Sequence, residues 1–372
     1  MKITNHHRAL IGLLQVPDFG PRRVKAIMQA TQVKDASEVF NMKLPDLLRV
    51  DRFGEHIAKN LVQFDGWKTV DKILENTEKT GAKLLAYDDE NYPGMLRHIY
   101  DPPPVLWLKG DEQVLNNPGI AVIGTRQPGK YGLDQTAYWT KLLVQKNICI
   151  NSGLAYGVDA KAHQTAVDSN GKTIAVMGSG IDNIYPAKNR KLAERIIDKG
   201  GAVLSEFPPG TAPDAINFPA RNRIVSGMSH GVLVVESGIK GGSMITARSA
   251  LDQNREVFVI PHPLGYGKGE GCNYLIRSGQ GKLVQSLSDI LDEISIQTEP
   301  VSGKPDIRPD WKNMDLSEEG IEICTLLEEK ELHIDQLSEL AGKPVFKLLP
   351  VLLELEMNDI VKQKAGKYFE LC

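Results

Sequence analysis

Six short apolar runs between residues 119 and 260 constrain the fold of this chain more than any other feature. Stretches with a helical pattern separate most of them. Runs that are apolar on both faces and alternate with helices predict a mostly parallel sheet covered by helices on both sides. The sequence therefore predicts an α/β fold. The predicted strands are Ile120–Ile123, Ile148–Ile150, Thr173–Met177, Ala202–Leu204, Gly231–Val235 and Glu256–Ile260.

The 372 residues allow two or three domains. Residues 1–80 alternate short helical patterns with Gly and Pro, which predicts a small helical domain. The α/β pattern occupies 81–295. A polar stretch with three prolines at 296–311 predicts a linker, and 312–372 form a C-terminal domain.

Two turns in the helical part have similar sequences, Val16–Pro21 and Leu47–Gly54. In the first, Pro21 suits the opening turn of a second helix. Two interpretations stay open, a helix-hairpin-helix unit that binds nucleic-acid backbones and a plain helical domain. Next along the chain, Pro102–Pro104 predict a stiff connector leading into an edge strand at Val105–Leu108.

The C-terminal domain has the pattern of three helices and a hairpin, which is typical of a winged helix. Pro350 falls inside the third helix and is expected to kink it. That helix carries Lys347 as its one cation beside two glutamates, so we expect a protein-contact or regulatory role for this domain. The predicted segments are Ser317–Glu328, Ile334–Leu340, Val345–Glu356, Ile360–Gln363 and Tyr368–Glu370.

Charge is distributed unevenly along the chain. The whole has a formal net charge of −3, with 13 Lys/Arg against 10 Asp/Glu in residues 1–80, 19 against 15 in 118–295, and 7 against 13 in 311–372. The central part can attract phosphates, whereas the C-terminal part should repel them. The four cysteines lack zinc-ligand spacing and form no disulfide framework. With no signal peptide and no apolar run of ~20 residues, a cytoplasmic protein is expected.

Residues that follow the predicted strands should meet at one edge of the sheet, where α/β folds bind ligands. Gly124 and Thr125 lead to Arg126, whose planar guanidinium can bind a phosphate or pair with a helix carboxylate. The stretch Gly241–Thr246 resembles a helix start that points N–H groups at an anion. The predicted phosphate-binding residues are Gly124, Thr125, Arg126, Ser152, Gly153, Lys161, Lys188, Arg221, Asn222, Arg223, Gly241, Gly242, Ser243 and Thr246.

Further side chains in these loops leave alternatives open. Arg221 and Arg223 flank Asn222 at a helix start, where cations oppose the helix dipole unless an anion binds. Lys161 and Lys188 are either binding or solvated rim charges. Asp159 and His163, four residues apart on one helix, could be an acid–base or metal pair, but a capping Asp159 and a packed His163 are favoured. The rings available for base stacking or for packing are Tyr156, Phe207 and Phe218.

Known catalytic and nucleotide motifs fit poorly. The glycines at 124 and 129 precede Lys130-Tyr131 without the Ser/Thr that a P-loop needs. Gly178-Ser179-Gly180 lacks the third glycine of a dinucleotide fingerprint. No nucleophile elbow and no paired carboxylates are present. The sequence therefore predicts a site that holds phosphates, with no catalytic residue, no metal and no cofactor.

The motifs in these loops resemble the DNA-processing protein A (DprA/Smf) family, through essentially all of 81–295 and in order. The resemblance implies an extended Rossmann domain between an N-terminal SAM-like domain and a C-terminal winged helix. The matching stretches are VIGTR (122–126), SGLAYGVDAKAH (152–163), TIAVMGSGIDNIYPAKN (173–189), LSEFPPG (204–210), NFPARNRIVSGMS (217–229) and GGSMITA (241–247).

The resemblance implies a recombination mediator without enzymatic activity. Members of the family bind single-stranded DNA, displace single-strand-binding protein and load the RecA recombinase during natural transformation, usually as dimers through the Rossmann domain. The implied contacts are Gly124–Arg126, Ser152–Gly153, Lys188, Arg221–Asn222, Gly242–Ser243 and Thr246. Lys188 falls one place later than in relatives, which puts its role in doubt.

Two enzymatic alternatives remain. The phosphoribohydrolases of the lysine-decarboxylase-like superfamily carry Pro-Gly-Gly-x-Gly-Thr followed by a glutamate, whereas Ile239–Thr246 lacks that glutamate. Release of a base from a nucleoside monophosphate would support this alternative. A dinucleotide-dependent enzyme or sensor would require saturable NAD(H) binding.

Overall fold

The computed structural model describes residues 3–50, 53–294, 311, 316–328, 330–358, 360–364 and 367–371. The chain forms two compact units, Met1–Thr298 and Glu299–Cys372. Residues 296–310 of the predicted linker lie outside the described residues.

One sheet organises the first unit. Its strands are β1 (Lys83–Ala86), β2 (Val105–Gly110), β3 (Gly119–Gly124), β4 (Cys149–Ser152), β5 (Thr173–Met177), β6 (Ala202–Ser205), β7 (Gly231–Glu236), β8 (Glu256–Val259) and β9 (Lys282–Leu283). They lie in the order β1-β2-β6-β5-β4-β3-β7-β8-β9. Strands β3 to β9 are parallel, whereas β2 is antiparallel to both β1 and β6. The predicted mostly parallel α/β sheet is confirmed.

Helices precede the sheet and cover its two faces. The N-terminal helices are α1 (Asn5–Gln15), α2 (Pro21–Thr31), α3 (Leu44–Leu47), α4 (Glu55–Val62) and α5 (Trp67–Thr80). Those that follow are α6 (Gly94–Arg97), α7 (Lys130–Gln145), α8 (Val158–Asp168), α9 (Arg190–Asp198), α10 (Asn217–Gly227), α11 (Gly242–Asp252), α12 (Glu270–Arg277) and α13 (Ser288–Leu291).

Both faces of strand β3 are buried, which is why its residues are apolar throughout. Its Ile120 and Val122 pack into one hydrophobic core, while Ala121 and Ile123 pack into another. Successive side chains point to opposite faces of a strand, so both faces need apolar residues. The N-terminal helices share a third core with the outer strands, where buried Trp107 donates from Nε1 to Thr77 Oγ1 at 2.9 Å.

The edge-strand prediction for Val105–Leu108 was wrong. This segment is the core of β2, which pairs with β1 on one side and β6 on the other. The prolines precede the strand, so they remove no ladder hydrogen bond. The true edge strand, β1, is four residues long and follows directly on helix α5, and its apolar signal was too short to separate from the helical pattern.

The second unit is a winged helix, as predicted. It contains α14 (Glu318–Leu327), α15 (Ile334–Leu340), α16 (Val345–Met357), β10 (Leu332–His333), β11 (Val361–Lys364) and β12 (Tyr368–Leu371), with the strands in the order β10-β12-β11. The two-residue strand β10 was not predicted. Helix α16 includes Pro350 and buries Leu348, Leu352 and Leu355.

The chain changes direction across the sheet at β3. From β3 it adds β4, β5 and β6 on one side, and it then returns to place β7 on the other side. In open α/β sheets ligands bind in the crevice outside the carboxyl ends of the strands at such a switch point. The carboxyl ends of β3 and β7 are therefore the place to examine.

Candidate functional site

A cleft of about 690 Å³ lies at this switch point. It brings together residues from the loops after β3, β4 and β7 and from helices α10 and α11. Ten of the fourteen residues predicted from the sequence line it: Gly124, Thr125, Arg126, Gly153, Arg221, Asn222, Gly241, Gly242, Ser243 and Thr246.

Glu236, the last residue of β7, holds the loop after β3 in place. Its main-chain oxygen accepts from Thr125 N at 2.7 Å, and its fully buried carboxylate accepts from Gly129 N at 2.9 Å. The hydroxyl of Tyr266 also donates to this carboxylate, at 3.4 Å. Arg126 thus extends from a loop that is fixed at both ends.

Two glycines allow the loop after β4 to pack beneath Arg126. Gly157 has a φ of +79°, and a Cβ there would lie 2.3 Å from Thr125 O. A Cβ on Gly153 would lie 2.5 Å from a terminal nitrogen of Arg221. Both positions therefore require glycine.

Arg221 is built into the floor of the cleft. It is 3% exposed, and its guanidinium donates to the carbonyl oxygens of Gly153 and Val176. Burial, together with the charge of Arg126 and against the opposing effect of Asp159, lowers the pKa of Arg221 to about 10. The side chain therefore stays charged at neutral pH and adds positive potential beneath Arg126.

Arg126 and two aromatic rings form the upper wall. Arg126 is exposed, and its guanidinium carbon lies 5.5 Å from the centre of the Phe218 ring. The Tyr185 ring is 5.6 Å from Phe218, centre to centre, and 42% of Tyr185 is exposed. Sequence analysis named Phe218 as a candidate ring but not Tyr185, although Tyr185 lies in the stretch that follows β5.

The start of helix α11 forms the opposite wall. Gly241 has extended dihedral angles and no capping side chain, and a Cβ on Gly242 would meet open space. Ser243 is turned inward, where its hydroxyl donates to Ser237 Oγ at 2.7 Å. The first turn of α11 therefore presents bare backbone to the cleft, as an anion site at a helix N-terminus requires.

Four predicted residues do not line the cleft. Ser152 belongs to β4, and its buried hydroxyl donates to Val122 O at 2.7 Å. Arg223 is held by Glu206 at 2.6 Å and by Asp101 at 3.2 Å. Lys161 lies on α8 and Lys188 on the 3-10 turn Ala187–Asn189, both outside the cleft lining.

Asp159 and His163 have separate environments. Asp159 lies inside the first turn of α8 and not at the predicted cap; its carboxylate accepts from Gly153 N at 3.1 Å and Ala155 N at 3.4 Å. Burial raises the pKa of Asp159, against the effect of Arg221. His163 is fully buried and packed, as favoured, with Nδ1 2.7 Å from Thr173 Oγ1, and burial lowers its pKa to about 3.

The other two predicted rings lie elsewhere. Phe207 lines a separate cavity of about 480 Å³ next to the N-terminal helices. Tyr156 is 42% exposed but does not line the cleft. In the described part of the chain, no three His, Cys, Asp or Glu side chains come together as a metal site. No described helix has the length and apolar character to cross a membrane.

Comparison with known proteins places the chain in a family. The family model of DNA recombination-mediator protein A matches residues 83–295, and that of the DprA winged helix domain matches 310–367. The DNA processing protein DprA of Streptococcus pneumoniae is 42% identical over 276 residues, 69% of this chain and 97% of that protein. Protein Smf of Escherichia coli K12 is 36% identical over 307 residues, 82% of this chain and 81% of that protein.

Solved structures show the same relationship. The structure of DNA processing protein A from Streptococcus pneumoniae has a TM-score of 0.66 at 33% identity, covering 80% of this chain and all of that one. A structure that describes the single-stranded DNA binding mode of DNA processing protein A from Helicobacter pylori has a TM-score of 0.51 at 32% identity, covering 57% of this chain and 94% of that one. The chain therefore belongs to the DNA recombination-mediator protein A family of DNA processing proteins.

Proposed function

We propose that this protein is a recombination mediator that binds single-stranded DNA in the cleft between β3 and β7. The observation that carries the proposal is the pairing of exposed Arg126 with the Phe218 ring, opposite the uncapped start of α11. Single strands bind through cations on the phosphate backbone and through bases stacked on aromatic rings. The cleft offers both, and the Helicobacter pylori relative is described as binding single-stranded DNA.

In this proposal the protein protects incoming single-stranded DNA and loads the RecA recombinase onto it during natural transformation. It acts in the cytoplasm, as a homodimer through the Rossmann domain, and without catalysing a reaction. The cleft suits this role because Arg221 is fixed by the fold, whereas Arg126 is exposed beside the Phe218 ring and available to a phosphate.

The winged helix has a different part in the proposal. Its helix α16 exposes Phe346 at 71%, Leu349 at 49% and Leu353 at 59%. A helix that enters a DNA groove carries cations toward the phosphates and polar groups toward the bases. We therefore assign this domain to protein contact or regulation.

Fluorescence anisotropy of a labelled single strand, measured across a salt series, tests the DNA-binding step. We expect a clear preference over the matching duplex and a slope of log K against log salt of about −0.7 for each phosphate neutralised. Weak binding, or equal binding of single strand and duplex, would contradict the proposal. Release of free base from a nucleoside monophosphate would favour the phosphoribohydrolase instead.

The mediator step needs its own assay. RecA-dependent ATP hydrolysis on a strand coated with single-strand-binding protein should start sooner when the protein is added. Light scattering across a concentration series would show whether a dimer forms. A protein that binds the strand but leaves the RecA lag unchanged would be a strand binder without mediator function.

A further inference from the structure

A second groove, of about 800 Å³, lies on the helical part of the first unit. Its lining comes from α2, from Val50 and Phe53 before α4, and from the segment after α6. It includes the cations Arg22, Arg23 and Lys25 and the rings of Phe53 and Tyr100. None of these residues lines the cleft between β3 and β7.

Each of the three cations contacts a group that carries no negative charge. The Arg22 guanidinium carbon lies 4.3 Å from the centre of the Tyr100 ring. Lys25 Nζ donates to Ile99 O at 2.9 Å, and Arg23 donates to Asp18 O. In the part of the chain that the structure describes, no carboxylate lies within ion-pair distance of these cations.

One carboxylate, that of Asp101, does line the groove. It is already paired, because Oδ2 of Asp101 lies 3.2 Å from Nε of Arg223. Among the described residues, the groove therefore keeps a positive charge beside the ring of Tyr100, which is 59% exposed. Cations and rings along a groove are the combination that binds single-stranded nucleic acid.

The cavity lined by Phe207 lies between the groove and helix α10. It shares no lining residue with the primary cleft, which α10 separates from it. This cavity of about 480 Å³ shares Gly20, Pro21 and Asp101 with the groove. Its far side includes Ala220 and Arg223 of α10. The same helix lines the cleft with Phe218, Pro219, Arg221 and Asn222. Six consecutive residues of α10, about 9 Å of helix, thus include four that line the cleft and two that line the cavity.

We propose that the groove of Arg22, Arg23 and Lys25 is a second contact for the single strand that occupies the cleft. The strand leaves the cleft over α10, passes the cavity, where Arg223 pairs with Asp101 and Glu206, and places further phosphates on the groove. This inference rests on the proposed function of the cleft. The exposed Tyr100 ring beside Arg22 favours a nucleic acid, whose bases can stack on it, over an acidic peptide, the other polyanion that a basic groove could bind.

The test compares Arg22→Ala/Arg23→Ala with wild type on oligothymidine strands of about 6 and about 30 nucleotides, in a salt series. The short strand should fit in the cleft alone and bind equally to both proteins. The long strand should bind the variant more weakly, with a salt slope smaller by about 1.4, since two phosphate contacts are lost. Arg22→Lys/Arg23→Lys should restore the slope.

Lys68→Ala/Lys72→Ala is the matched control, because it removes the same charge from exposed positions on α5 that line neither groove nor cleft. Circular dichroism melting should show that all variants fold. The proposal would be overturned if the double arginine variant and wild type bound the long strand with equal affinity. It would also be overturned if the α5 control lost as much affinity for the long strand as the double arginine variant. Binding of polyglutamate that needs Arg22 and Arg23, with long-strand binding unchanged, would assign the groove to an acidic partner. If wild type binds neither strand, the proposed function of the cleft itself fails.

Discussion

The guanidinium carbon of Arg126 lies 5.5 Å from the centre of the Phe218 ring, and both side chains line the cleft. A base stacked near the ring would place its phosphate within reach of the arginine. We expect Arg126→Ala to make the salt slope for single-stranded DNA less negative by about 0.7. Phe218→Ala should cost about 1–3 kcal/mol of binding free energy with the slope unchanged. Arg126→Lys, which keeps the charge, is the control; an unchanged slope in Arg126→Ala would exclude a phosphate contact at this residue.

Arg221 should behave as a structural arginine, unlike Arg126. Replacing it with Met removes the hydrogen bonds to Gly153 and Val176 and leaves the buried Asp159 without its nearby positive charge. We expect the free energy of unfolding in urea to fall by about 3–5 kcal/mol. The exposed Arg126→Ala should change it by less than about 0.5 kcal/mol. A stable Arg221→Met protein that had lost only DNA affinity would make Arg221 a direct ligand contact.

Two glycines of the cleft should respond oppositely to Ala. At Gly242 a Cβ would occupy open space in the cleft, so Gly242→Ala should fold normally and weaken binding of the strand at the start of α11. At Gly153 a Cβ would lie 2.5 Å from the Arg221 guanidinium, so Gly153→Ala should destabilise the fold by about 1–3 kcal/mol. Thermal melting and anisotropy on both variants distinguish the two effects. Normal binding by Gly242→Ala would show that the start of α11 does not contact the strand.

His163 should make the fold sensitive to acid. Thr173 Oγ1 donates to Ile150 O at 2.6 Å, so it accepts from Nδ1 of His163. The pKa of His163 is lowered from 6.5 to about 3 by burial, and therefore only the unfolded chain takes up this proton between those values. Stability from this group is present above pH 6.5 and is lost as pH falls, by about 2 kcal/mol between pH 7 and pH 5.

Urea unfolding of wild type and His163→Asn at both pH values measures this contribution. The asparagine amide can still donate to Thr173 but does not titrate. The variant should lose about 2 kcal/mol less than wild type between pH 7 and pH 5. Equal losses in the two proteins would show that other groups carry the acid sensitivity.

The winged helix should contribute little to DNA binding. Lys347 is the one cation in the α16 sequence and is exposed, so Lys347→Ala should leave both affinity and salt slope for single-stranded DNA unchanged. A slope smaller by about 0.7 would show instead that α16 contacts a phosphate.

The sheet could be predicted from the sequence because its strands are apolar on both faces. Thr173–Met177 coincides with β5, and the other five runs differ from their strands only at the ends. Strand β10 could not be predicted, since two residues carry no periodicity. β2 was placed at an edge because three prolines precede it, but the pairing partner β6 lies about a hundred residues further along the chain.

The roles of the three predicted arginines could not be told apart from the sequence around them. Arg126, Arg221 and Arg223 all looked like phosphate ligands. Only partners distant in sequence separate them: Arg221 donates to Gly153, 68 positions away, and Arg223 donates to Asp101, 122 positions away. Such partners accept the hydrogen bonds of a guanidinium, but they cannot be recognised from the residues next to the arginine. Arg126 pairs with no carboxylate within ion-pair distance among the described residues, and this was not visible from its neighbours.

The adjacency of β3 and β7 has a consequence for the protein during its synthesis. Gly129 and Glu236, which fix the loop of the cleft, are 107 positions apart in sequence. A growing chain can complete β3, β4, β5 and β6 before β7 and α11 have left the ribosome. Domains fold as units as the chain emerges, and in this one the cleft between β3 and β7 can close only after the first six strands have been made. A nascent or truncated chain that ends before Gly231 would thus have strands β1 to β6 but would lack Glu236 and the start of α11, and with them one wall of the cleft.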